Sequence, residues 1–327
     1  MKINKKLIGK RNYMVEIKET KLEGFRALTI RNEKLSLSTI PELGGKIISI
    51  INRETGFDFV WRNKTIKLQK FSYDSNFAFS DSSGVDECFP TIAPCKYIDF
   101  PWKNVNIPDH GEIWPLSSKT IVKGDKIIQK VCGVRFPYTF NRVIGIDGNV
   151  IKLSYKVENL SQFKFDFIWA IHPIFKLLEN TELIIERSPD VTVDFSTDNE
   201  LILRDKKYIW PVIETEDGRR IDFSKIGVGK EYAVKFVLSN LSTGVVTLKY
   251  CNNNEKMDIV FNKDRIKYCG LWINSKGWPE EGLYKYSHIA IEPCNGITDS
   301  LEECIQRNGF GTIKGGDQIT WDVIFKI

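Results

Sequence analysis

The stretch Thr139-Phe-Asn-Arg-Val-Ile-Gly-Ile-Asp-Gly-Asn-Val-Ile-Lys-Leu-Ser-Tyr-Lys-Val157 carries two alternating runs either side of Asp147-Gly148-Asn149. A period of two sends successive side chains to opposite faces of a strand, and Asp-Gly-Asn is the turn chemistry of tight hairpins. The stretch therefore reads as a β-hairpin. Residues 120–134 read as a second one, closed by Gly124-Asp125. Upstream, 35–40, 46–51 and 57–61 read as strands separated by Pro41 and Gly44-Gly45. Downstream, strands are predicted over 163–171, 182–186, 233–238, 245–250, 257–261, 266–273, 287–291 and 318–325. Many strands, close turns and almost no long helical periodicity predict an all-β chain, a large antiparallel sandwich.

One helix is predicted. Thr298, Asp299 and Ser300 supply cap residues, and Ser300 with Glu303 has capping-box spacing. Leu301, Cys304 and Ile305 form its apolar stripe, and Gly309 stops it. Residues 70–114 differ: rich in Ser, Asp, Pro, Phe and Gly and poor in periodicity, they are predicted to be a binding loop. No repeat, linker or boundary divides the chain, so 1–327 is expected to be a single domain, with roughly the first 20 residues a loose extension.

The chain of 327 residues has 27% charged and 42% hydrophobic residues, with a net charge of +5 spread thinly along it. The densest basic run, Lys2, Lys5, Lys6, Lys10 and Arg11, reads as a solvated tail. No basic stripe interleaves with aromatics, which argues against a nucleic-acid partner. Residues 1–14 hold no uninterrupted apolar run, so no leader is expected, and no segment reaches the length of a membrane span. The seven cysteines are odd in number and form no CxxC pair. Neither a disulfide framework nor a zinc site is indicated, and reduced thiols in a cytoplasm are expected.

Three histidines are present. His172 follows 163–171, where Phe163, Phe165, Phe167, Trp169 and Ile171 share one face. It has the opposite parity, with Asp166, Ile168 and Ala170, and Pro173 is expected to end the ladder just after it. That places it to reach a ligand; the plainer alternative is a surface histidine. Glu292 closes 287–292 on the face opposite Ile289 and Ile291, again followed by a proline; alone it reads as a solvated edge carboxylate. His288 shares that face about 13 Å away, too far to be its chemical partner. His110 lies in Asp109-His-Gly-Glu-Ile-Trp114, where Trp114 offers a flat surface for the CH face of a sugar. The alternative is a loop histidine bonded to Asp109.

Taken together these segments resemble the aldose 1-epimerase (galactose mutarotase-like) family, in the family's order. Ile40-Pro-Glu-Leu-Gly-Gly-Lys-Ile-Ile-Ser-Ile50 is similar to its opening strand-turn-strand signature. Asp109-His-Gly-Glu-Ile-Trp114 resembles its first histidine motif, and Trp169-Ala-Ile-His-Pro-Ile-Phe175 its second. Ile291-Glu-Pro-Cys-Asn-Gly-Ile-Thr-Asp-Ser-Leu301 resembles its catalytic glutamate motif. The resemblance implies a galactose mutarotase-like β-supersandwich of antiparallel sheets with few short helices. It implies interconversion of the anomers of a free or phosphorylated aldose, by a monomer or homodimer, without metal or organic cofactor. It further implies that Glu292 is the general base at the C1 hydroxyl, His172 the general acid at the ring oxygen, and His110 a substrate contact. The chemistry suits them: O1 and O5 are both bonded to C1, so acid and base must flank one carbon within hydrogen-bond reach. An imidazole titrating near neutrality and an ionised carboxylate would serve.

The chain also departs from that pattern. Sugar mutarotases carry an arginine before the first histidine motif, where this sequence has Ser83-Gly-Val-Asp-Glu-Cys-Phe-Pro-Thr91. The later aspartate that contacts sugar hydroxyls has no clear match. Asp86 and Glu87 are candidate replacements, since carboxylates accept hydrogen bonds from vicinal hydroxyls; a solvated loop is the alternative. Trp272, opposite in parity to Leu271 and Ile273, is a candidate lining residue together with Trp278. A hexose-6-phosphate substrate would need cations over the pocket, for which Arg62 and Arg142 are available. A catalytically silent carbohydrate-binding or sensing protein is the reading from another class.

Overall fold

The computed structural model describes residues 14–198, 202–227, 229, 231–279 and 285–327. The basic N-terminal run lies outside them. The expectation of a loose extension over the first 20 or so residues is partly corrected, because Glu16–Leu22 is a strand paired along its whole length with Phe25–Arg31.

Two antiparallel sheets face each other. The larger has twelve strands, eleven along one path and Phe57–Asp58 paired to Lys46–Asn52 beside it. From its Glu16–Leu22 edge the order runs through Phe25–Arg31, Leu35–Ile40, Lys46–Asn52, Val85–Cys88, Ala170–Lys176, Ser287–Cys294, Tyr268–Ser275, Tyr232–Ser239 and Asp190–Ser196 to Lys207–Ile209. The smaller, of nine strands, includes Gln318–Lys326 and both hairpins read from sequence, Tyr138–Asp147 with Val150–Asn159 and Lys119–Lys123 with Lys126–Cys132. The fold class is all-β, as expected. Alternating residues of both sheets, among them Leu37, Val85, Ile171, Leu271 and Ile291 from one and Leu153, Ile259, Val323 and Phe325 from the other, join in one buried apolar cluster. The helix spans Leu301–Gln306, with the Ser300 side chain accepting from the Glu303 N–H.

Three expectations change. The strand predicted over 163–171 is two: Phe165–Phe167 pairs with Gly311–Ile313 in a small separate sheet, and Ala170–Lys176 joins the large one. Neither proline ends its strand; Pro173 and Pro293 lie inside Ala170–Lys176 and Ser287–Cys294. Their effect is instead to open the ladder. The two strands pair at Ala170–Cys294 and again at Ile174–Ala290, with no paired residues between, because neither proline has an N–H to donate. Finally, the unpatterned 70–114 segment conceals Val85–Cys88, a central strand of the large sheet. Four buried residues show no alternation to read when both faces of a strand are covered.

Candidate active site

The register that pairs Ala170 with Cys294 and Ile174 with Ala290 sets His172 opposite Glu292, inside the gap the prolines create. On the other side, His172 pairs with Asp86, and beyond Glu292 the next strand places Gly270. Asp86, His172 and Glu292 thus form a row across three adjacent strands, on the face turned away from the nine-stranded sheet. All three are buried, Glu292 completely. The solvated alternatives for His172 and Glu292 are therefore replaced by a covered site.

The row is short of partners. His172 Nε2 lies 3.7 Å from Glu292 Oε1, too long for a hydrogen bond. Among the described residues, His172 Nδ1, Glu292 Oε1 and Asp86 Oδ1 have no hydrogen-bond partner. Each such buried group costs about 1–3 kcal/mol. Three in one row make this the candidate site for a polar ligand.

Two buried lysines, neither singled out from sequence, flank the row. Lys235 Nζ is 2.6 Å from Glu292 Oε2 and 3.4 Å from Asp299 Oδ1. Lys46 Nζ is 3.0 Å from Asp81 Oδ1 and 3.2 Å from Asp86 Oδ2. Burial pulls both ammonium groups down, but the paired carboxylates outweigh it and hold both above the ordinary lysine value. Gly270 leaves the space for this: a Cβ there would meet Lys235 Cε at 3.0 Å and Glu292 Oε2 at 3.3 Å. Parity could have flagged Lys235, since Val234, Phe236 and Leu238 face the core and Lys235 does not. Lys46 opens its strand beside the Gly44-Gly45 turn, where the same signal is too short to read.

His110 joins the row from the loop. It has φ of 57° and is followed by Gly111, where a Cβ would lie 2.2 Å from Phe89 O. This tight turn sets the His110 ring edge-on to His172, centroids 5.1 Å apart. Its Nδ1 bonds Asp109 Oδ1 at 2.8 Å, so the loop-histidine alternative and proximity to the row hold at once. Phe77 stacks on His110 at 3.9 Å and packs edge-on to His172 at 5.5 Å. It covers the row. A cavity of 410 Å³ lies elsewhere, beside Ser196, Thr215, Phe223 and Tyr232.

Burial, reinforced by His110 and Lys235, pushes His172 well below the usual imidazole range, so its resting form is neutral. This corrects the expectation of titration near neutrality. Burial pushes Asp86 the other way, up to about 6, against the opposing pull of Lys46. His288, lowered to about 3 by burial, accepts a hydrogen bond from Trp272 Nε1 at 2.9 Å.

The other candidates separate. Glu87 turns into the core between the sheets, where it accepts from Arg142 Nη1 at 2.8 Å, Tyr155 Oη at 2.9 Å and Trp169 Nε1 at 2.9 Å. It is not part of the row: Asp86 and Glu87 are consecutive in a strand and must face opposite ways. Arg142 is consumed in the same network, and Arg62 pairs with Glu23. Trp114 is buried behind Phe71 and Phe77, its Nε1 donating to Asp109 O at 2.9 Å; it is packing, not a stacking surface. Trp272 is half-buried on the same face as Lys235, its register partner, and packs on Phe195 and Trp278. Among the described residues no group of three or more His, Cys, Asp or Glu side chains is arranged to hold a metal ion, and no helix is long and apolar enough to cross a membrane.

Comparison with known proteins adds the following. Residues 11–105 match a family described as a domain of unknown function, DUF5107. No curated protein sequence matches the chain. Solved structures do. A galactose mutarotase-like protein from Lactobacillus casei superposes with a TM-score of 0.67 at 17% identity, covering 92% of this chain and 99% of its own. One from Clostridium acetobutylicum gives 0.66 at 16%, covering 96% and 99%. The galactose mutarotase related enzyme from Lactobacillus acidophilus gives 0.66 at 15%, covering 91% and 96%. The fold is galactose mutarotase-like.

Identity this low carries the architecture and leaves the chemistry to the residues themselves. In this mutarotase-like fold His172, Glu292 and His110 come together, as do Asp86, Lys46 and Lys235, while Glu87 and Trp114 do not.

Proposed function

We propose that the chain is an aldose 1-epimerase-type isomerase acting on an uncharged monosaccharide. The observation that carries this reading is the row of three unpartnered buried atoms on Asp86, His172 and Glu292. A sugar presents hydroxyls and a ring oxygen at spacings that answer such a row, and the likeness of fold to galactose mutarotase-like proteins agrees with it.

Glu292 is the base: Lys235 engages Oε2 and leaves Oε1 for the C1 hydroxyl. As Glu292 takes the O1 proton, C1=O1 forms, the C1–O5 electron pair goes to O5, and a proton from an acidic group beside O5 joins it there. Rotation about C1–C2 and reclosure then give the other anomer. His172, neutral at rest, hydrogen-bonds the sugar beside C1 rather than arriving with a spare proton. His110 contacts the ring from the loop side. No metal or organic cofactor takes part in this scheme. Lys46 and Lys235 are each claimed by two carboxylates, so neither ammonium of the row is free for the anion of a 6-phosphate variant. The whole chain acts as one unit, in a cytoplasm.

Anomer exchange followed by NMR or polarimetry, across free aldoses and their 6-phosphates, tests the reading. The expected result is accelerated exchange of a free aldose, lost in Glu292→Gln. Tight sugar binding without acceleration would make the chain a sensing protein instead.

A further inference from the structure

Asp86 and Glu292 are held alike. Each projects from a strand adjacent to that of His172, on the same face. In each, one oxygen is taken by a buried lysine that a second carboxylate anchors: Lys46 with Asp81 on one side, Lys235 with Asp299 on the other. In each, the other oxygen is buried and unpartnered. With strands about 4.8 Å apart, the two Cα atoms stand roughly 10 Å apart across His172. An anomeric centre held between them would present O1 to one carboxyl and O5 to the other, each at a hydrogen-bond distance of about 2.6–3.2 Å.

We propose that Asp86 is a further catalytic residue, the carboxyl that protonates the ring oxygen while Glu292 deprotonates the C1 hydroxyl. This rests on the epimerase reading above. In opening, the O1 proton passes to Glu292 Oε1, the C1–O5 electron pair goes to O5, and the Asp86 carboxyl proton follows it there. In closure, Glu292 returns its proton to O1 and the O5 hydroxyl returns its proton to Asp86, so the site ends as it began. The environment supports the assignment. Burial pushes His172 well below the usual imidazole range and raises the Asp86 carboxyl to about 6, so of the two it is Asp86 that burial makes easier to protonate. The charged and titratable groups facing Asp86 are Lys46 and Asp81, with His172 across the register and His110 from the loop.

The experiment is anomer exchange against pH for wild type, Asp86→Asn and Asp86→Glu, on an aldose the wild type turns over, with thermal melts to confirm folding. The wild-type kcat/KM should fall as pH rises through about 6, because the acid of the free enzyme is lost. Asp86→Asn should lose about 10²–10⁴-fold in kcat, with KM little changed and that limb absent, while Asp86→Glu recovers part of the rate and a displaced limb. Asp86→Asn with wild-type kcat and profile overturns the role of Asp86 and leaves the epimerase reading standing. A wild type inactive on every aldose overturns both. If Asp86→Asn does not fold, a wild-type profile without the descending limb overturns the proposal.

Discussion

Asp86 and Glu87 are consecutive, equally buried and both acidic, yet they do opposite things. Glu87 has partners for both oxygens, from Arg142, Tyr155 and Trp169, and ties the two sheets together through the core. Asp86, on the other face, has one oxygen paired with Lys46 and one with nothing. A buried carboxylate whose hydrogen-bonding capacity is met inside the protein is holding structure. One left unmet beside a histidine and a second such carboxylate is the candidate for meeting a ligand.

That contrast breaks most visibly at Glu292, on the unmet side. Glu292→Gln should cut kcat for anomer exchange by about 10²–10⁴-fold; wild-type rates by NMR would end the proposed mechanism. On the satisfied side, Glu87→Gln leaves the buried Arg142 uncompensated and should cost about 3–5 kcal/mol in stability. Denaturant unfolding would show the loss, and kcat per folded molecule should stay near wild type.

A third measurement uses pH. The Asp86 carboxyl lies above its ordinary value, at about 6 instead of 3.8. Its protonated form is favoured by folding, so this contribution is whole below about 3.8 and lost as pH rises through about 6. Wild type should therefore lose, relative to Asp86→Asn, a few kcal/mol over that window, since each pKa unit is worth about 1.4 kcal/mol. Thermal melts at both ends report it, and a constant gap would contradict the assigned environment. The smallest effect is expected at Trp114. Trp114→Phe removes the hydrogen bond to Asp109 O and part of a buried ring, and should cost about 1–3 kcal/mol without changing KM. A large KM increase would return Trp114 to the sugar site.

Much of this was legible beforehand. Period-two patterning and Gly-containing turns located both hairpins and most strands of the two sheets, and cap residues located the helix. The parity of His172 and Glu292 against their apolar neighbours put both on the non-core face, where they are. Val85–Cys88 was not legible, because a strand covered on both faces carries no alternation, and with it went the opposed fates of Asp86 and Glu87. Lys46 and Lys235 escaped notice because lysines are ordinarily read as solvated; only their carboxylate partners, remote in sequence, make burial tolerable.

Sequence alone determined what depends on neighbours along the chain: strand period, turn chemistry, the helix cap, and which side of its own strand each polar residue occupies. Tertiary structure decided what depends on neighbours across strands. Register set His172 between Asp86 and Glu292, two prolines without N–H groups opened the ladder there, and lysines from strands far away in sequence took one oxygen of each acid. Local preferences act over a few residues, whereas hydrogen-bond satisfaction and charge pairing are properties of what meets in space.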